Sequence, residues 1–121
     1  MKNKNIIESI KCAIKGVKAC YKEERNFREY TIIAAVFLIF NILLSARVWE
    51  YIVFFSLVAG AFSAEFINTA IERMIDKIDI EITEQNKFIK DAAAAGVLVI
   101  SSAFFLSEAI ILIPKLIAEI K

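Results

Sequence analysis

Four polar side chains recur at steps of three, four and four within an otherwise apolar stretch: Glu65, Asn68, Glu72 and Asp76 in AEFINTAIERMID. On a helix, at about 100° per residue, they share one narrow stripe, while Phe66, Ile67, Ile71 and Ile75 cover the other faces. At 1.5 Å per residue the stripe is roughly 16 Å long, too long for one ion to touch throughout. Ionisable groups inside a membrane span are costly, so such a stripe marks a functional site. Its length suits an extended arrangement, with a metal and its phosphates at one end and a second reactant at the other.

Two further charged clusters flank the apolar stretches. One is Glu23, Glu24, Arg25, Arg28 and Glu29, and the other is Lys90 with Asp91. Taken alone, Glu24 and Arg28 read more simply as a helix-surface pair, and Lys90–Asp91 as an interfacial anchor. Converging on the stripe, they would supply carboxylates for Mg²⁺ and cations for phosphate, the chemistry of phosphoryl transfer. The chain has no histidine, so a proton transfer must fall to a carboxylate. Gly16, Gly60 and Gly96 stand apart and form no glycine-rich phosphate loop, which excludes soluble kinase folds of that kind. Cys12 and Cys20 lack metal-site spacing and read as small apolar residues on a reduced side.

The elements that must position these groups are helical and mostly apolar. The 121 residues suffice for one domain, and their hydrophobic share of 59% exceeds that of soluble domains. A soluble fold this small could not bury so much apolar surface, but a bilayer would. The net charge of +1 offers no field for nucleic acid. Residues 5–24 alternate Ile6, Ile10, Ile14 and Val17 with Lys11, Lys15, Lys18 and Lys22, predicting an amphipathic helix on an anionic membrane surface. Membrane helices are expected over residues 27–46, 48–72 and 91–118, with Trp49 and Tyr51 suited to an interfacial belt. A short turn joins the first two, and residues 73–90 are expected as a charged loop. Lys and Arg number eight in residues 1–29 and four in residues 73–90, against one in the first turn and two near the end. That bias sets the N-terminus and the charged loop inside and the C-terminus outside. The small residues Ala59, Gly60, Ala61, Ser63 and Ala64, and Ala92 to Gly96, would allow helices to approach closely.

At EFINTAIERMID the chain resembles the bacterial diacylglycerol kinase and undecaprenol kinase family, whose hallmark is E-x-x-N-[ST]-A-[IL]-E-x-x-x-D. IKCAIKG (10–16), ERNFR (24–28) and KDAAAAG (90–96) follow the same family in order and spacing. The ERNFR form is similar to the Gram-positive branch, whose members prefer undecaprenol to diacylglycerol. The resemblance implies an all-α homotrimer in the bacterial cytoplasmic membrane, with three membrane helices and a surface helix per chain. Its active sites would be shared between neighbours at the cytoplasmic interface. It makes Glu65 the catalytic base, Glu24 and Glu72 the Mg²⁺ ligands, and Asn68, Lys90 and Asp91 contacts to ATP, with Asp76 in a supporting role at the nucleotide. Three positions depart from the family: Thr83 stands near a common His, Ile89 replaces a common Ala, and Asn5 falls where some relatives place a basic ATP contact.

The expected activity is transfer of the ATP γ-phosphoryl group to a lipid alcohol, undecaprenol by preference and diacylglycerol as the alternative. A small oligomeric ion or proton channel would also use a polar stripe, but has no need of Lys90–Asp91 or ERNFR. A noncatalytic scaffold leaves Glu65 and Glu72 without a purpose. Glu108, in the outer half of the last span, is expected at the membrane interface.

Overall fold

The computed structural model describes residues 5–78 and 83–121. These form α1 (Ile6–Glu23), α2 (Arg25–Leu43), α3 (Val48–Ile78) and α4 (Glu84–Ile120). The last three are long and apolar enough to cross a membrane. Asn5, at one of the departing positions, starts α1 by accepting the Glu8 amide at 2.8 Å. Thr83, at another, caps α4 by accepting the Asn86 amide at 3.0 Å.

A single extended residue, Glu24 (φ −116°, ψ 116°), separates α1 from α2. Two side chains hold that corner. Arg28 Nη1 donates to the carbonyls of Tyr21 and Lys22 at 2.6 and 3.2 Å, satisfying acceptors that the end of α1 leaves open. Phe27, fully buried, lies 4.6 Å from the Phe66 ring and also meets Tyr21 and Phe62. ERNFR thus contributes a hinge residue, an aromatic anchor and a cap. At the α2–α3 turn, Ser45 takes φ 55°, and the Ala46 amide donates to Asn41 O at 2.9 Å. Glu50 reaches back to the Arg47 amide at 2.8 Å, a carboxylate three residues into α3 that caps its start.

α3 and α4 run antiparallel and in contact, clamped by an ion pair at each end: Glu50 with Lys115, and Asp76 with Lys90. Gly60 allows the approach midway, where a Cβ would lie 3.1 Å from Ile100 Cδ1. This small residue therefore serves contact within the chain. α2 leans on both helices more lightly. Pro114 lies inside α4, which continues to Ile120.

Two boundaries differ from expectation. The charged loop expected over residues 73–90 is helical over much of its length, because α3 runs on to Ile78 and α4 begins at Glu84. Charged side chains on an exposed helical extension need no loop, and Thr83 supplies the cap; residues 79–82 lie outside the described residues. The first span, expected over 27–46, begins at Arg25 and ends at Leu43, since its start is set by the Glu24 hinge. Burial differs from that of a water-soluble bundle in what lies outside and in how many polar groups join the apolar core. Large apolar side chains such as Ile32, Leu43, Leu98 and Ile110 are exposed, whereas Asn41, Glu50, Glu65, Asn68, Thr69 and Glu108 are buried. An apolar exterior, with polar groups in the spans turned inward among the core side chains, is the arrangement a bilayer demands.

Candidate active site

The polar stripe lies on the C-terminal half of α3 and divides into two parts. Glu65 and Asn68 are buried, with 4% and 7% exposure, by the chain's own helices. Glu72 and Asp76 are exposed. Asn68 Nδ2 donates to Glu72 Oε1 at 3.2 Å and so joins the two parts, while its buried Oδ1 has no hydrogen-bond partner. Asn26 and Tyr30 on α2, with Asn68, are polar neighbours of the Glu65 carboxylate. Tyr30 also lines a small apolar cavity among α2, α3 and α4, beside Ile33, Phe62 and Phe104.

The other sequence-derived residues are brought in unevenly. Lys90 at the start of α4 reaches Asp76. Asp91 bonds instead to Lys87 on its own helix, at 2.7 Å. Glu24 engages Arg73 Nη2 at 2.6 Å, and Glu23 engages Arg73 Nη1 at 2.9 Å. That hydrogen bond, with the guanidinium's charge, holds the Glu23 carboxyl below its ordinary range. Among the described residues, no group of three acidic side chains gathers as a metal site within the chain.

Sequence reasoning missed Tyr30, Asn26 and Arg73. Asn26 and Tyr30 stand four apart on α2 near a span's end, so a polar pair at helical spacing was there to be read. Arg73 had no local signal, because its partners lie 49 and 50 residues away. Glu108 also differs from expectation. It is fully buried and accepts from Asn41 Nδ2 at 2.7 Å, because α2 passes close enough to cover it.

The buried Glu65 thus stands two helical turns before the exposed Glu72, and Lys90 of α4 pairs with Asp76 one turn further on. The family model described as prokaryotic diacylglycerol kinase matches residues 11–112. The undecaprenol kinase of Bacillus subtilis (strain 168) is 34% identical over 102 residues, covering 84% of this chain and 83% of that protein. The diacylglycerol kinase of Haemophilus influenzae is 28% identical over 95 residues, covering 78% and 80%. The chain belongs to the prokaryotic diacylglycerol kinase family. It is an enzyme, a kinase acting on an alcohol acceptor, which sets aside the channel and the scaffold.

Proposed function

We propose that the chain phosphorylates the hydroxyl of a membrane lipid alcohol, with ATP as donor and Mg²⁺ as its metal, and that undecaprenol is the favoured substrate. Diacylglycerol is the alternative acceptor. The observation that carries the reading is Glu65, a carboxylate buried at the N-terminal end of a stripe whose other end is exposed. A lipid hydroxyl arriving from the bilayer meets the buried end, and a nucleotide arriving from water meets the open one. The 34% identity to an undecaprenol kinase, against 28% to a diacylglycerol kinase, supports the order of substrates.

In this reading Glu65 takes the alcohol proton as the oxygen attacks the γ-phosphorus, while the bond from that phosphorus to the β–γ bridging oxygen breaks and ADP leaves. Tyr30, Asn26 and Asn68 orient its carboxylate. The donor set fits Mg²⁺, a hard cation that takes a few carboxylates and keeps its remaining positions for phosphate and water. Glu72 is exposed and the neighbouring Asn68 Oδ1 is unpartnered, so oxygen ligands are at hand. Glu24 and Glu72 would hold the ion, which when bound neutralises phosphate charge. Lys90 would exchange Asp76 for a phosphate oxygen, and Asp91 would contact the nucleotide. Positioning and electrostatics do most of the work in such a transfer.

The exposed apolar residues of α1, among them Ile6, Ile10 and Ile14, fit a helix lying on the cytoplasmic face of the membrane. The N-terminus is then inside and the C-terminus outside. A homotrimer would complete the site. The chain's own helices already cover Glu65 and Asn68, so a neighbour is needed at the Glu72–Asp76 end and for Asp91. The reading is tested by phosphoryl transfer from radiolabelled ATP, with the purified protein offered undecaprenol and diacylglycerol side by side. Faster labelling of undecaprenol is expected. Labelling of diacylglycerol alone would reverse the substrate order, and labelling of neither would remove the proposed lipid specificity.

A further inference from the structure

Arg73 follows Glu72 directly in the chain, and its guanidinium grips Glu24 across the fold at 2.6 Å. The two carboxylates assigned to the metal are therefore connected through it, one as its neighbour and the other as its ion-pair partner. Glu24 is the extended residue between α1 and α2, so neither helix fixes its side chain; Arg73 does. A guanidinium on Glu24 Oε1 competes with a divalent cation for the same oxygen. We propose that Arg73 is a built-in counter-cation of the metal site. It holds Glu23 and Glu24 while the metal is absent, yields Glu24 when a divalent cation binds, and so raises the cation concentration the enzyme requires.

This inference rests on Glu24 being a metal ligand. The guanidinium stays charged at any working pH, so the exchange is driven by the metal and not by loss of a proton. The pair can be exchanged because it is open to water, with side-chain exposure of 52% for Arg73 and 35% for Glu24, and such pairs are weak. Glu23, on the other arm at 2.9 Å, keeps the guanidinium from drifting away after Glu24 turns to the metal.

Binding of Mn²⁺, followed by electron paramagnetic resonance on the full chain in membranes, separates the possibilities. Arg73→Gln should bind Mn²⁺ more tightly by about two- to fivefold, the scale of a weak exposed ion pair. Arg73→Lys, which keeps the charge but loses the two-armed grip, should fall between Arg73→Gln and the unaltered protein. Glu24→Gln should bind more weakly, and adding Arg73→Gln to it should bring no tightening. If Glu24→Gln weakens binding while Arg73→Gln leaves it unchanged or weaker, the counter-cation role is overturned and the ligand assignment stands. If Glu24→Gln leaves binding unchanged, Glu24 is not a ligand and both fall.

Discussion

Asn41 and Glu108, 67 residues apart, are joined by a 2.7 Å hydrogen bond from amide to carboxylate, and both are fully buried between α2 and α4. Asn41 Nδ2 also donates to Phe37 O at 2.9 Å, while Asn41 Oδ1 and Glu108 Oε2 are left without partners. Removing one member strands the other. Asn41→Leu or Glu108→Leu should each destabilise the protein by about 1–3 kcal/mol. The double variant should cost less than the sum, with a coupling of about 0.6–1.7 kcal/mol. A double-mutant cycle in membranes measures it, and additive effects would mean the bond contributes nothing.

Glu65→Gln should lower turnover by about a hundred- to ten-thousandfold, because it removes a general base at almost no change in volume. The variant should still insert and bind nucleotide. Near-normal turnover would assign the proton to another group. Glu72→Gln should act differently, weakening metal-dependent nucleotide binding and shifting the Mg²⁺ concentration at half-maximal rate upward.

Mixing Glu65→Gln with Asp91→Asn chains, which disable the two parts of the site assigned to different chains, tests whether two chains build one site. If they do, some mixed trimers contain an intact site and partial activity returns. If every chain carries its own complete site, the mixture is as inactive as either variant alone, and shared sites must be given up.

Burial pushes the Cys20 thiol up from its ordinary value; Arg73 pulls it down, and Glu24 and Glu23 push it further up. A raised pKa means less thiolate near neutrality. Alkylation of Cys20 by iodoacetamide, in a Cys12→Ala background, should therefore reach half its maximal rate above the pH of about 8.5 typical of a free thiol. Arg73→Gln should move the midpoint higher still, since it removes the attracting charge. A midpoint at or below that of a free thiol would show that burial does not dominate.

Much of this architecture was legible from local order in the chain. A stripe at steps of three and four is a property of helical geometry, so Glu65, Asn68, Glu72 and Asp76 could be placed on one face without coordinates. Span number followed from apolar length, because a bilayer accepts few other ways of hiding such segments. Helix ends were less accurate. α3 passes through Arg73 to Ile78, in sequence that charge alone marked as loop.

What the tertiary structure decided is which polar groups meet. The sequence by itself determined three spans and the buried acid in the second, since periodicity and hydropathy act over a few turns of helix. It could not pair Glu24 with Arg73, Asn41 with Glu108 or Glu50 with Lys115, because those contacts close loops of 49, 67 and 65 residues. The first two depend on how α2 and the corner before it lean onto α3 and α4, and the third on the approach of α3 to α4. The Glu24 hinge and the Phe27 anchor set that lean, the close approach at Gly60 sets the α3–α4 contact, and the physical reason is packing between helices rather than pattern within one.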